Sequence, residues 1–139
     1  MARFTYRCPL RWSDMDAYGH VNNVQYLRYM EEARIALIHE MSDGSGPSML
    51  DEGVVVVRQE IDYRKPLVYR PEPIPIVCWV DAISNSSFTV AYDVTDDDGT
   101  VYANGSARLV LVDLESGRPR RVGPEDRARL ERLLDDRLP

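Results

Sequence analysis

Cysteine is scarce in this sequence: there are two, Cys8 and Cys78, far apart in the chain. Two cysteines make no disulfide framework, and without a CxxC pair or a Cys/His cluster there is no zinc pattern. Both are expected as reduced, buried thiols. Positive charge is also short, since the 139 residues carry a formal net charge of −6. That argues against a nucleic-acid or anionic-membrane partner, although a local basic patch suffices for a phosphate-bearing ligand. The N-terminal stretch MARFTYRCPLRW has no apolar core of signal-peptide length. No run approaches the ~20 apolar residues needed to cross a bilayer, and a cytoplasmic protein is the expectation. Repeats and low-complexity linkers are lacking too, so a single domain over residues 1–139 is expected. With 44% of residues apolar and 29% charged, the chain can bury one core without staples.

Hydrophobic periodicity divides the chain. Residues 3–10 read as a short strand with Phe4, Tyr6 and Cys8 on one face. A polar, turn-rich stretch then leads to VQYLRYMEEARIALIHEM (24–41). Here Val24, Leu27, Met30, Leu37, Ile38 and Met41 recur at helical spacing with no glycine or proline between them, which predicts a helix. Asn22 or Asn23 can cap its start, and DGSGP (43–47) ends it. From Gly53 the period becomes two. In residues 54–67, Val57, Gln59, Ile61 and Tyr63 face away from Arg58, Glu60, Asp62 and Arg64. Further strands are expected at 74–83, 87–96 and 101–113, with Asp98-Gly99 marking a hairpin and the acidic run 96–98 at its exposed tip. Residues 123–138 open with Pro124 and acidic residues and carry Leu130, Leu133 and Leu134 on one side, predicting a surface helix. A helix as apolar as 24–41 needs a cover. The economical architecture is α+β: a curled antiparallel sheet of about five strands around the long central helix. Sheet edges and part of the helix would stay uncovered, which predicts a homodimer.

The run DMDAYGHVNNVQYLRY (14–29) carries the chemistry. It sets Asp14, Asp16, Gly19, His20, Asn22 and Asn23 just before the central helix. A helix start offers unpaired N–H groups and the positive end of the helix dipole. Such a place can hold a carbonyl oxygen while negative charge develops on it. A carboxylate beside it can attack that carbonyl or activate a water, and Gly19 lets the backbone turn sharply. The same residues also suit plain architecture. Aspartate and asparagine cap helices, Asp14 and Asp16 can bond their own turns, and a lone histidine such as His20 is commonly structural. Residue chemistry alone leaves both readings open.

The pattern D-x-D-x-x-G-H-V-N-N, followed by a tyrosine-containing helix with Glu-Ala-Arg at 32–34, resembles the 4-hydroxybenzoyl-CoA thioesterase-like group of hotdog-fold proteins. DYRKPL (62–67), NSSF (85–88) and SARLVLVD (106–113) follow in that group's order, so the resemblance covers roughly residues 3–115. It implies a hotdog fold and an acyl-CoA thioester hydrolase. It makes Asp16 the catalytic carboxylate, as nucleophile or general base, and Asn23 the helix-starting residue whose backbone N–H polarises the thioester carbonyl. Some relatives carry a histidine at that position; the asparagine here departs in its side chain but not in its backbone role. Gly19, His20 and Asn22 join the substrate-binding set, with Tyr26 and Tyr63 as candidate lining of an acyl pocket or simply core. The strand tip at residues 85–87 lacks the basic residues that meet the CoA phosphates in some relatives. An acyl-carrier-protein thioester is therefore a second substrate class, and Arg64 and Lys65 are the candidate replacement charges.

The resemblance further implies a site at a dimer interface, with the loop 14–23 from one subunit and residues 61–65 from the other; dimers could pair into tetramers. It implies no metal or redox cofactor, because thioester hydrolysis is downhill and needs only a placed nucleophile. Two other functions stand beside the thioesterase. One is a hotdog-fold acyl-CoA hydratase or dehydratase, for which Asp16 and His20 are the candidate acid/base pair. The other is a non-catalytic acyl-CoA binding module. The motif matches the thioesterase pattern better than the lyase pattern.

Overall fold

The computed structural model describes residues 3–42 and 49–135. Its central element is α1 (Asn23–Ser42), a helix of 20 residues. Asn22 is the N-cap: its Oδ1 accepts the Val24 N–H at 3.0 Å and its carbonyl accepts the Gln25 N–H at 2.9 Å. The buried stripe runs through Tyr26, Tyr29, Met30, Ala33, Leu37 and Met41, a spacing of three and four residues. Val24, expected in that stripe, is 63% exposed, and Leu27 is only half-buried. Counted back from Ala33, the helical period falls on Tyr29 and Tyr26, so two tyrosines hold the places that the apolar pattern gave to other residues. The expected helix end at 43–47 lies outside the described residues.

Five strands form one antiparallel sheet around α1: β1 (Phe4–Cys8), β2 (Val54–Tyr63), β3 (Ile74–Ile83), β4 (Ser87–Thr95) and β5 (Val101–Leu111). Their order is β1-β3-β4-β5-β2, so β1 and β2 are the two edges. A short helix, α2 (Met49–Glu52), precedes β2, and α3 (Pro124–Arg132) follows β5. In the middle of β3 and β4 the inner face alternates. Ile76, Cys78 and Val80 of β3 and Val94, Tyr92 and Val90 of β4 are cross-strand partners and all are buried, which seals the core against α1. Free Cys8 and Cys78 belong to this core, where burial pushes both thiols up to about 12.

Gly105 makes the close approach of helix to sheet possible. It lies opposite Tyr92. A Cβ there would sit 2.8 Å from both the Met30 Cε and the Glu60 carbonyl oxygen, so the space a side chain would need is filled by α1 and by β2.

The face assignment in β2 needs one correction. A bulge interrupts its pairing with β5 between Val56 and Arg58. Val54 and Val56 lie opposite Leu111 and Leu109, whereas Gln59, Ile61 and Tyr63 lie opposite Ala107, Gly105 and Ala103. Val57 is the extra residue, 55% exposed, and does not share a regular face with Gln59. One inserted residue shifts the alternation by one. The strand also stops at Tyr63 rather than at 67, because the Arg64 and Lys65 N–H groups both donate to the Tyr102 carbonyl, at 2.8 and 3.1 Å, and the chain turns there.

The β4–β5 tip is more than a solvated acidic loop. Arg70 bridges Asp96 at 2.8 Å and Asp97 at 2.9 Å, and Arg7 of β1 reaches Asp97 at 2.6 Å. Helix α3 is likewise more than a surface helix, since Leu130 is fully buried. It ends at Arg132, and the chain after it takes up the edge of β3 beyond β1, with the Val80 N–H bonded to the Leu133 carbonyl at 2.8 Å. Residues 136–138 of the expected helix lie outside the described residues.

Candidate active site

The segment before α1 folds as a miniature hairpin. Met15 and Val21 form an isolated antiparallel bridge. The Asn22 N–H donates to the Asp14 carbonyl at 2.9 Å, and the Asp16 N–H donates to the His20 carbonyl at 2.7 Å. Gly19 closes the turn at φ 77°, in the left-handed region, with nothing within 4 Å of where a Cβ would stand. The Val21 N–H donates to the Leu67 carbonyl at 2.7 Å, which fastens the hairpin to the segment after β2.

Its two aspartates go different ways. Asp14 is buried, 3% exposed. Its carboxylate accepts the Tyr29 hydroxyl at 2.7 Å and an Arg11 N–H at 3.1 Å. Burial pushes the Asp14 carboxyl up, but the Arg11 and Tyr29 hydrogen bonds outweigh it and hold the group below the usual aspartate range. Asp14 anchors the base of the hairpin to α1. Asp16 sits at the tip, half-buried. Its Oδ1 accepts the Tyr18 N–H at 2.8 Å and the His20 N–H at 3.2 Å. No protein donor among the described residues meets its Oδ2. Asp16 is thus both the turn residue of the architectural reading and a carboxylate with one oxygen to spare.

Asp16 lines a cleft of about 300 Å³ together with His20, Val21, Asn23, Tyr26, Tyr63, Arg64, Lys65 and Pro66. Asp14 is not part of it. Because Asn22 takes the Val24 and Gln25 N–H groups, the Asn23 N–H is left without a hydrogen-bond partner among the described residues. The cleft therefore brings the start of α1 and Asp16 to one place, the two kinds of group that carbonyl attack requires.

Residues 63–66 of the same chain also line this cleft, beside the loop 14–23. The Tyr63 hydroxyl at the end of β2 donates to the Asn23 carbonyl at 2.8 Å. Its ring stands edge-on to Tyr26, with centroids 5.1 Å apart. Tyr26 is buried, and burial raises its phenol above the ordinary value. Arg64 and Lys65 line the rim, and the Arg64 Nε donates to the Asn104 side chain at 2.5 Å. Of the expected substrate-binding residues, Gly19 and Asn22 shape the site without lining the cleft; His20, Tyr26, Tyr63, Arg64 and Lys65 line it. Val21 and Pro66 complete the lining, and Arg11 and Tyr29 brace it through Asp14. The sequence signal for Tyr29 was a polar-tipped aromatic inside an apolar helix stripe, which needs a buried partner. Among the described residues, no three His, Cys, Asp or Glu side chains converge as a metal site would require.

The family model of the thioesterase-like superfamily matches residues 10–130. The chain belongs to this superfamily. The long-chain acyl-CoA thioesterase FadM of Escherichia coli is 27% identical over 126 residues, covering 90% of this chain and 95% of that protein. A crystal structure of a thioesterase from Thermus thermophilus complexed with coenzyme A and Zn matches with a TM-score of 0.77 at 33% identity, covering 93% of this chain and 92% of the other. A predicted thioesterase from Bacillus stearothermophilus shares the fold alone, with a TM-score of 0.85 at 24% identity and 98% and 99% coverage. The curled five-stranded sheet around α1 is the hotdog fold of these thioesterases. The hairpin 14–22 and the first turn of α1 fall inside the matched region of this superfamily member.

Proposed function

We propose that this superfamily member hydrolyses acyl-CoA thioesters, with Asp16 as the reacting carboxylate and the Asn23 N–H as the carbonyl holder. One observation carries the reading: Asp16, whose Oδ2 meets no protein donor among the described residues, and Asn23, whose N–H is unbonded among them, line the same cleft. The thioester carbonyl oxygen accepts from the Asn23 N–H, where the α1 dipole favours the charge that develops on it. Asp16 then acts by one of two routes. As nucleophile it bonds to the carbonyl carbon, the C–S bond breaks, and the thiolate leaves a mixed anhydride that water opens. As general base it takes the proton of a water that attacks the carbon directly. Either route consumes one water and gives the free acid and CoA thiol, with no electron transfer. Tyr26 and Tyr63 offer an apolar, aromatic wall to the acyl group, and Arg64 and Lys65 supply positive charge at the rim.

The active species in this reading is a homodimer. β2 is an edge strand and exposes Val55, Val56 and Val57 at 44%, 38% and 55%, a row of unpaired backbone and apolar surface that calls for a partner. The reading also places the protein in the cytoplasm, where CoA thioesters are met and thiols such as Cys8 and Cys78 stay reduced.

Release of free CoA from a panel of short, long and aromatic acyl-CoAs tests the proposal. Stoichiometric thiol and acid from at least one class is the expected result. Water addition across an enoyl-CoA without thiol release, or tight binding of every thioester with no turnover, contradicts it.

A further inference from the structure

We infer that Tyr63 is a positioning residue for the carbonyl-holding N–H of Asn23, and not only a wall of the acyl pocket. The inference rests on the assignment of Asn23 above. The helix α1 packs on β1 and β3, whereas Tyr63 ends β2, the opposite edge of the sheet. Hydrogen bonds tie the β2 side of the cleft to the Asp16 side. The bond from Val21 N–H to Leu67 carbonyl fixes the hairpin. The bond from Tyr63 hydroxyl to Asn23 carbonyl, 2.8 Å, fixes the start of the helix itself.

The peptide that follows Asn23 is held at both ends. Its carbonyl accepts from Tyr63, and its N–H, that of Val24, donates to the Asn22 Oδ1 at 3.0 Å. A first helical turn frays readily, because its N–H groups lack intrahelical partners. Held in this way, the turn presents the Asn23 N–H in one direction. The Tyr63 ring is steered by its edge-on contact with Tyr26, at 5.1 Å between centroids, three residues further along the same helix. Burial alone does not account for the hydroxyl bond, because Tyr63 is 47% exposed and its hydroxyl could be satisfied by water. The ring and the hydroxyl therefore carry separable roles: the ring lines the cleft, and the hydroxyl aims the donor.

The test is Tyr63→Phe, which keeps the ring and its packing on Tyr26. A misaimed donor weakens the transition state more than substrate binding. The expected result is a fall in kcat of about threefold to tenfold, the worth of one hydrogen bond, with KM for the acyl-CoA and the melting temperature essentially unchanged. A wall residue alone would leave kcat unchanged in Tyr63→Phe, because the ring is kept.

A second readout does not depend on turnover. The carbonyl stretch of a 13C-labelled acyl-CoA bound to Asp16→Asn should move to lower frequency than in solution, and the shift should shrink in Asp16→Asn/Tyr63→Phe. Unchanged kcat and an unchanged band in the Tyr63→Phe proteins overturn the inference while leaving the thioesterase assignment intact, provided that Asp16→Asn is inactive. Full activity in Asp16→Asn overturns the role of Asp16, and an unshifted band in Asp16→Asn overturns the carbonyl-holding role of Asn23 and the inference with it.

Discussion

Two aspartates with one residue between them differ in everything that decides their roles. Asp14 is buried and held by Arg11 and Tyr29, while Asp16 lines the cleft and keeps one oxygen without a protein donor among the described residues. Asp14 therefore belongs to stability. Because its folded carboxyl is held below the usual aspartate range, the charged form is favoured on folding. Its contribution is fully present above the unfolded value of about 4 and is lost as pH falls through the lower folded value. Asp14→Asn is expected to lose about 1–3 kcal/mol at neutral pH. Urea unfolding at a series of pH values should show the gap to wild type closing below about pH 4; a gap independent of pH would assign the loss to packing. At this scale residue type and spacing marked out Asp14, Asp16, Gly19, His20, Asn22 and Asn23, and the family resemblance singled out Asp16 and Asn23. It could not tell which aspartate was buried, because that depends on Tyr29 and Arg11 arriving from opposite sides of Asp14.

The elements were legible wherever local rules decide them. The α1 helix was marked by an uninterrupted run of good formers behind an asparagine cap, and β3 to β5 by alternation and the Asp98-Gly99 turn. What escaped was set by tertiary pairing. The bulge at Val57 leaves no mark in a run of four valines, and β2 ends where Tyr102 captures two N–H groups rather than where the apolar pattern fades. Gly105 is the sharpest element-scale test. In a strand, glycine is ordinarily a weakness. Here Gly105→Ala is expected to destabilise by about 1–3 kcal/mol, since the new methyl meets the Glu60 backbone as well as the movable end of Met30. A melting temperature equal to or above that of wild type would show that α1 does not close on β5 as described.

At the scale of the whole molecule, the sequence pattern implied a single sheet around one helix with edges to spare, and the β2 edge is indeed uncovered. The meeting of residues 63–66 with the start of α1 in one chain was not legible, because it turns on the chain reversal after Tyr63. If β2 is the dimer edge, the protein should sediment as a dimer at micromolar concentration, and Val57→Lys should shift it toward monomer. A wild-type monomer there would contradict the assembly. Turnover should also withstand exhaustive chelation; loss of activity restored by added zinc would overturn the metal-free mechanism. The central claim is that acyl-CoA hydrolysis runs through the Asp16 carboxylate. Its most direct test is the rate of CoA release by Asp16→Asn beside wild type, with both proteins verified as folded. The substitution keeps the shape and the acceptor for the Tyr18 and His20 N–H groups and removes only the charge. A fall in kcat on the order of a hundredfold or more is expected, with thioester binding little altered. Near-wild-type turnover by folded Asp16→Asn would contradict the account.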